Sequence, residues 1–313
     1  MYDIIIIGAG PAGLTAALYA RRANKKVLVL EAKAYGGQIV NANLVENYPG
    51  IANISGFDFA TNLYNQVKDL ETDIKFEPVI RIEKNKTVVT TKNTYTAKSI
   101  IIATGAENRK LNIDKETEFI GKGVSYCATC DGNFYKNKTV AIVGGGNTAL
   151  EDAIYLSDIA NKVYIIHRRD KFRGEATYEN ELKKKNNVEI ILNSNVTKLN
   201  GEDFLKSIDI EDNQGNIRTL DINGLFIAVG QTPKNEIFAN IIKLNTSGYI
   251  ESEDGVHTNI KGIYVAGDTR VKQLRQLTTA VSDGAIAATI AIKEMEWEYE
   301  SNRNKRTRIQ RKN

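Results

Sequence analysis

Tyr2-Asp3-Ile4-Ile5-Ile6-Ile7-Gly8-Ala9-Gly10-Pro11-Ala12-Gly13 opens the chain. An apolar, β-branched run that ends in G-x-G-x-x-G predicts a strand, a tight turn and a helix start. Leu14 to Arg22, rich in alanine and leucine, predicts the helix, and Lys26 to Leu30 predicts a second strand running into Glu31, 23 residues after Gly8. Each position has a physical task. Gly8 makes the turn, Gly10 lets the backbone approach a pyrophosphate, and Gly13 lets helix and strand pack closely. The helix N-terminus then faces the phosphates. Glu31 accepts hydrogen bonds from ribose hydroxyls, so this turn suits a dinucleotide without a 2′-phosphate, FAD or NAD.

The pattern recurs. Thr139 to Val143 predicts a strand, Gly144, Gly146 and Ala149 form G-x-G-x-x-A, and Leu150 to Leu156 continues as a helix. The following strand, Val163 to Ile166, ends at His167, again 23 residues after the first glycine, but no acid stands there. Its place is taken by His167-Arg168-Arg169-Asp170-Lys171-Phe172-Arg173. A carboxylate would repel a 2′-phosphate, whereas Arg168, Arg169 and Arg173 would clamp one with charge-assisted bonds, so the second turn calls for NADP(H). Further on, Gly262 to Ala266 predicts a strand that ends in Gly267-Asp268, a carboxylate suited to the ribityl or pyrophosphate part of a flavin. Ser282 to Glu294 predicts a long helix.

Between the two glycine turns lie the only two cysteines, in Cys127-Ala128-Thr129-Cys130-Asp131. Two cysteines are too few for a secreted disulfide framework, and a lone C-x-x-C is more often redox or metal-binding. A closed zinc site needs four ligands, and only His167 and His257 could join, so no metal is expected. At 313 residues, 42% hydrophobic and 26% charged, the chain has the size and composition of about two soluble domains. No apolar run spans a bilayer, and the start has neither the basic residues nor the apolar length of a signal peptide, so a cytoplasmic location is expected. Net charge is +4, yet from Ser301 to Asn313 there are six basic residues and no acid, Arg303, Lys305, Arg306, Arg308, Arg311 and Lys312, which leaves the rest at −2. This end, 299–313, reads as a disordered tail. It has no aromatic after Tyr299 on which bases could stack, which argues against a nucleic-acid partner.

These motifs make the chain resemble the low-molecular-weight, NADPH-dependent thioredoxin reductases over nearly everything up to residue 298. The resemblance rests on GAGPAG at Gly8–Gly13, GGQ at Gly36–Gln38, EN-x-P-G at Glu46–Gly50 and ATGA at Ala103–Ala106. It continues with CATCD at Cys127–Asp131, GGGNTA at Gly144–Ala149, HRRDKFR at His167–Arg173, AGD at Ala266–Asp268 and RQ at Arg275–Gln276. It implies an α/β fold of two Rossmann-like dinucleotide-binding domains, the second inserted into the first. The FAD domain would comprise 1–110 and 236–298, and the NADPH domain, 111–235, would carry the dithiol. The glycine-bearing strand ends Ala103-Thr104-Gly105 and Gly230-Gln231-Thr232-Pro233 are natural crossings.

The resemblance also implies roles. Electrons would pass from NADPH through FAD and the Cys127–Cys130 disulfide to thioredoxin or a similar small protein. Cys130 would face the flavin, Cys127 would attack the substrate, and Asp131 would be the acid that protonates the departing thiolate. Without the family, Asp131 reads equally as a cap before Gly132. Gly37, Gln38, Asn47, Thr104, Asp268, Arg275 and Gln276 match flavin-contacting positions. Asn147 and Thr148 join Gly144, Gly146, His167, Arg168, Arg169 and Arg173 around NADPH. A homodimer and a rotation of one domain against the other are implied as well. Gly174 stands where alanine is common and predicts a slightly looser phosphate loop. The rival readings are a ferredoxin-driven reductase, an oxygen-using dithiol oxidase, a redox sensor and a tail-mediated nucleic-acid binder.

Overall fold

The computed structural model describes residues 1–42, 44–252 and 255–310, with backbone alone at 298 and 302–310. The chain divides into two compact units, Met1–Glu107 with the chain from Thr232 onward, and Asn108–Gln231. The two crossings, Glu107–Asn108 and Gln231–Thr232, pair as a two-stranded sheet.

In the first unit the strand Tyr2–Ile7 lies at the middle of a parallel core. It pairs on one side with Val27–Glu31, which pairs with Asp73–Phe76, and on the other with Thr94–Ile102, which pairs with Ile263–Val265. Val79–Ile82 and Thr87–Thr90 add an antiparallel extension. Side chains alternate across a pleated strand. Accordingly Ile4 and Ile6 enter one apolar layer with Val27, Val29 and Ile101, while Ile5 and Ile7 enter the opposite layer with Leu28, Leu30 and Ile100. Burial on both faces explains why the strand reads as an unbroken isoleucine run. The helices are Pro11–Arg22, Gly56–Lys68 and Leu277–Gln310. Gly56–Lys68 begins at an N-cap, Ser55, whose hydroxyl accepts from the Asp58 N–H at 3.0 Å.

The second unit holds a five-stranded parallel sheet in the order Val188–Ile191, Lys162–Ile166, Thr139–Gly144, Gly224–Ala228, Val124–Ser125. A three-stranded antiparallel sheet, Ser194–Gly201, Leu205–Asp212 and Ile217–Asp221, joins it through a shared apolar core that includes Ile208, Ile210, Leu220 and Leu225. Asn147–Ser157 and Ala176–Leu182 are its longer helices.

The structure departs from the sequence reading at two kinds of place. The glycine-turn helices start earlier, at Pro11 and Asn147 rather than Leu14 and Leu150. Proline is well suited to a first helical position, where its missing N–H would have no partner. The last helix runs from Leu277 to Gln310, so a helix occupies 299–310, where the sequence reading placed a disordered tail. No glycine or proline follows Gly284, and this stretch is dominated by good helix formers. Arg303, Lys305, Arg306 and Arg308 lie on that backbone, while Arg311 and Lys312 fall outside the described residues.

The last helix packs on Pro11–Arg22, and Gly284 is the contact that permits it. A Cβ at Gly284 would stand 2.1 Å from the Ala12 carbonyl oxygen. Gly284→Ala must therefore push the helices apart. Overpacking of this kind costs about 1–3 kcal/mol, and the expected outcome is a lower thermal midpoint for the variant by circular dichroism.

Candidate active site

Both glycine turns sit at the carboxyl ends of parallel strands, the edge at which open α/β sheets bind ligands. In the first unit, Gly8 adopts φ +109°, a conformation open to glycine, and a Cβ on Gly13 would lie 1.9 Å from the Gly8 carbonyl oxygen. The Glu31 carboxylate accepts from the Ala9 N–H and the Lys33 N–H, each at 2.8 Å, and so braces the turn while each oxygen keeps further acceptor capacity. The 3-10 turn Gly37–Asn41 stands against this loop. The Gly36 N–H donates to the Ala9 carbonyl at 2.8 Å, and Gly37 faces Gly10.

The other residues matched to a flavin gather in the same unit. Asn47 donates to Gln276 Oε1 at 3.2 Å. The Thr104 hydroxyl lies 2.9 Å from that of Thr269, which donates to the fully buried Asn235 at 2.7 Å. Arg275 stacks its guanidinium on Tyr249 at 4.2 Å and donates to the Asp268 carbonyl at 3.4 Å. Behind them lies a charged cluster that the sequence reading missed. Asp283, buried in the last helix, accepts from the Gly267 N–H at 3.0 Å, from Arg270 Nε and Nη2 at 2.9 Å, and from Lys272 Nζ at 2.9 Å. It thereby fixes the turn that carries Asp268. Burial raises the Asp268 carboxyl above the ordinary carboxylate range, against the opposing charges of Lys272 and Arg275. Its Oδ1 is buried without a hydrogen-bond partner. That orphaned oxygen, together with an open approach at Gly10, fits a polar ligand laid along the turn.

In the second unit the Gly144 turn repeats the close approach. A Cβ on Gly144 would meet the Ala149 Cβ at 2.6 Å and the Ala228 carbonyl at 2.4 Å, whereas one on Gly146 meets nothing within 4 Å. Arg168, Arg169 and Arg173 are exposed beyond the strand Lys162–Ile166, and among the described residues none of them forms an ion pair. His167, at the end of the same strand, stands directly against the glycine turn. It is 5% exposed, packed beneath Gly145, with Nε2 unpartnered. Burial, reinforced by the three guanidinium charges, holds its imidazole below the ordinary histidine value.

Gly174 also corrects its reading. The Gly145 carbonyl accepts from both the Arg173 N–H at 2.6 Å and the Gly174 N–H at 3.1 Å. A Cβ on Gly174 would stand 2.6 Å from Leu150 Cδ1 and 3.0 Å from Asn147 Oδ1. The glycine tightens the basic loop onto the glycine turn instead of loosening it. Asn147, at the helix start, completes the clamp with Glu175: its amide donates to Glu175 Oε1 at 3.0 Å and its oxygen accepts from the Glu175 N–H at 2.9 Å.

Cys127 and Cys130 form a disulfide at the same carboxyl edge, directly after the edge strand Val124–Ser125. Gly224–Ala228 separates that strand from the one ending at Gly144. Ala128–Asp131 is a single helical turn capped by Cys127, whose Sγ accepts from the Cys130 N–H at 3.2 Å. Thr129 is exposed and both cysteines are half-buried. Burial raises the Asp131 carboxyl above its ordinary value, while a hydrogen bond from Ser125 opposes the shift. A carboxyl raised in this way, on the same helical turn as Cys130, is suited to hold and deliver a proton.

The chain belongs to the family described as "Pyridine nucleotide-disulphide oxidoreductase", which matches residues 2–284. Members of this class work with flavin and nicotinamide cofactors. More narrowly, the chain is 42% identical over 293 residues to a thioredoxin reductase of Mycoplasma genitalium, covering 92% of this chain and 93% of that one. It is also 42% identical over 306 residues to one of Listeria monocytogenes, covering 95% and 94%. The crystal structure of thioredoxin reductase from Streptococcus pyogenes superposes with a TM-score of 0.90 at 40% identity, over 95% of this chain and 98% of that one. Among the described residues no helix is long and apolar enough to cross a membrane.

Whether the first glycine turn receives a flavin can be tested by filling it. A Cβ at Gly10 meets only the Gly37 Cα, at 4.0 Å, so a methyl group is sterically tolerable to the fold but narrows the approach to the turn. Gly10→Ala is expected to purify folded by far-UV circular dichroism and with a lowered flavin content read from its visible absorbance.

Proposed function

We propose that the chain is an NADPH-dependent thioredoxin-disulfide reductase, a flavoprotein that passes electrons through Cys127–Cys130 to thioredoxin or a thioredoxin-like small protein. The observation that carries this reading is the disulfide with a half-buried Asp131 whose carboxyl burial raises, on the sheet whose glycine turn is clamped to a loop of three arginines without ion pairs. The first unit would hold FAD through Gly8, Gly10, Gly13, Glu31, Gly37, Gln38, Asn47, Thr104, Asp268, Arg275 and Gln276. When bound, FAD supplies two-electron transfer between a nicotinamide hydride and a disulfide.

The protein's own residues supply the rest. Gly144, Gly146, Asn147 and Thr148 would carry the dinucleotide phosphates at the start of Asn147–Ser157, and Arg168, Arg169 and Arg173 would grip the 2′-phosphate, with His167 supporting the turn from below. Opening of the disulfide leaves thiolate sulfur, and Asp131 delivers a proton to it. The Cys127 thiolate then attacks a sulfur of the substrate disulfide, and Cys130 resolves the mixed disulfide. The arginine loop speaks against a ferredoxin-driven relative, which has no use for a 2′-phosphate grip. The homodimer rests on the family resemblance.

Purified protein mixed with NADPH should bleach its flavin, and then reduce thioredoxin and, through it, a chromogenic disulfide. Absence of bleaching by NADPH would overturn the reading. Replacing Arg168 and Arg169 by alanine should raise the KM for NADPH by about tenfold or more, since hydrogen bonds to charged groups contribute roughly 1.5–3 kcal/mol each, and should leave the KM for NADH nearly unchanged.

A further inference from the structure

Ser125 has no part in the mechanism above, yet it is the side chain most closely tied to Asp131. It ends the strand Val124–Ser125, where its backbone is held in register with Phe226, and it is 4% exposed. Its Oγ lies 2.6 Å from Asp131 Oδ2, 3.0 Å from the Cys127 N–H nitrogen and 3.3 Å from the Cys127 carbonyl oxygen. A hydroxyl has one proton to give and two lone pairs to accept with.

Those three contacts satisfy both protonation states of the acid. With Asp131 ionised, Ser125 donates to Oδ2 and accepts from the Cys127 N–H. With Asp131 protonated, the carboxyl donates to Ser125 Oγ, the Cys127 N–H still donates to the other lone pair, and the serine proton turns to the Cys127 carbonyl. Only a hydroxyl hydrogen rotates between the two states. Neither state strands a buried polar group, which would otherwise incur the full desolvation penalty.

We propose that Ser125 is a positioning residue that keeps the Asp131 carboxyl hydrogen-bonded and fixed against the Cys127 backbone both before and after the acid gives up its proton. This rests on the reading of Asp131 as the acid. When two electrons cleave the Cys127–Cys130 bond, one sulfur takes the Asp131 proton as S–H and Asp131 is left as a carboxylate. Ser125 then supplies the hydrogen bond that the departing proton had made. Because that bond favours the charged form, Ser125 also limits how far burial raises the carboxyl.

The surrounding groups define the controls. Cys127 and Cys130 are joined and do not titrate in the oxidised protein. From the following turn, Gly132–Tyr135, comes Tyr135, its hydroxyl pushed up to about 12 by burial and then by Asp131, so it stays neutral in the working range. Helix Asn147–Ser157, packed on Ala128–Asp131, brings Glu151, Asp152 and Tyr155. Burial and then Glu151 push Asp152 up to about 7, so it titrates where an assay is run. Tyr126, next to Ser125, is engaged with Glu116 at 2.5 Å.

The test uses the flavin-loaded, oxidised protein. Infrared difference spectra between each protein and its Asp131→Asn derivative isolate the carboxyl band of Asp131 across pH, and the same series on an Asp152→Asn background removes the overlapping titration. Thioredoxin reduction is measured in parallel, with far-UV circular dichroism and flavin content as checks of folding. Ser125→Ala should move the Asp131 titration upward by about one to two pH units, the shift expected from losing a charge-assisted hydrogen bond, and lower thioredoxin turnover by about tenfold. Ser125→Thr, which keeps the Oγ, should restore both. If Asp131→Asn abolishes turnover while folded Ser125→Ala keeps the wild-type titration and rate, the proposal is overturned and the acid reading stands. If Asp131→Asn turns over thioredoxin at the wild-type rate, the acid reading falls and the proposal falls with it. Should Ser125→Ala fail to fold, a titration in Ser125→Thr displaced as far as alanine predicts would also refute it.

Discussion

In both units a helix is set against the end of a strand at a distance that leaves no room for a side chain. At Gly13 a Cβ would enter the Gly8 carbonyl, and at Gly144 it would enter Ala149 and Ala228. Everything functional in the molecule hangs on those two approaches. They bring helix N-termini, with their free N–H groups, to the carboxyl edge of a parallel sheet, where a phosphate can be received. The chemistry on either side then differs by a few side chains. A carboxylate braces the first turn from the neighbouring strand end, and a basic loop does so for the second.

The dithiol exploits the same edge. Because Val124–Ser125 is a strand of the sheet that carries Gly144, the disulfide is positioned by backbone pairing and not by a flexible loop. The sheet also buries Asp131 against the helix that starts at Asn147. Desolvation raises its carboxyl, and thus a proton is retained at a pH where an exposed aspartate would have lost it. The price of that burial is a polar group to satisfy, and the adjacent serine and Cys127 backbone meet it locally.

Much of this could be read from residues alone, because the motifs encode backbone geometry. Gly8, Gly10, Gly13 and Glu31, and likewise Gly144, Gly146 and Arg168–Arg173, are visible as spacings, and the strands around them are visible as isoleucine and valine runs. What escaped the reading depends on distant neighbours. Asp283 sits in a helical stretch where nothing local announces that Arg270 and Lys272 fold onto it. Gly174 looks like freedom in sequence and is close packing in space. His167 occupies the position of a ribose acid but is drawn under Gly145. Ser125, two residues before Cys127, carries no sign in the sequence that it meets Asp131. The continuation of the last helix past Ser301 was a matter of composition: high charge suggested disorder, but the same lysines and arginines are good helix formers.

The central claim is that Cys127–Cys130 is a second electron store between a bound flavin and an external disulfide. Anaerobic titration with NADPH, followed by flavin absorbance and thiol counting, tests it most directly. The disulfide couple takes two electrons, as does the flavin, so the wild-type protein should consume about two equivalents of NADPH per flavin and expose two thiols, and Cys130→Ser about one equivalent with no gain in thiols. A wild-type protein whose flavin is fully reduced after about one equivalent, with the disulfide intact, would contradict the account.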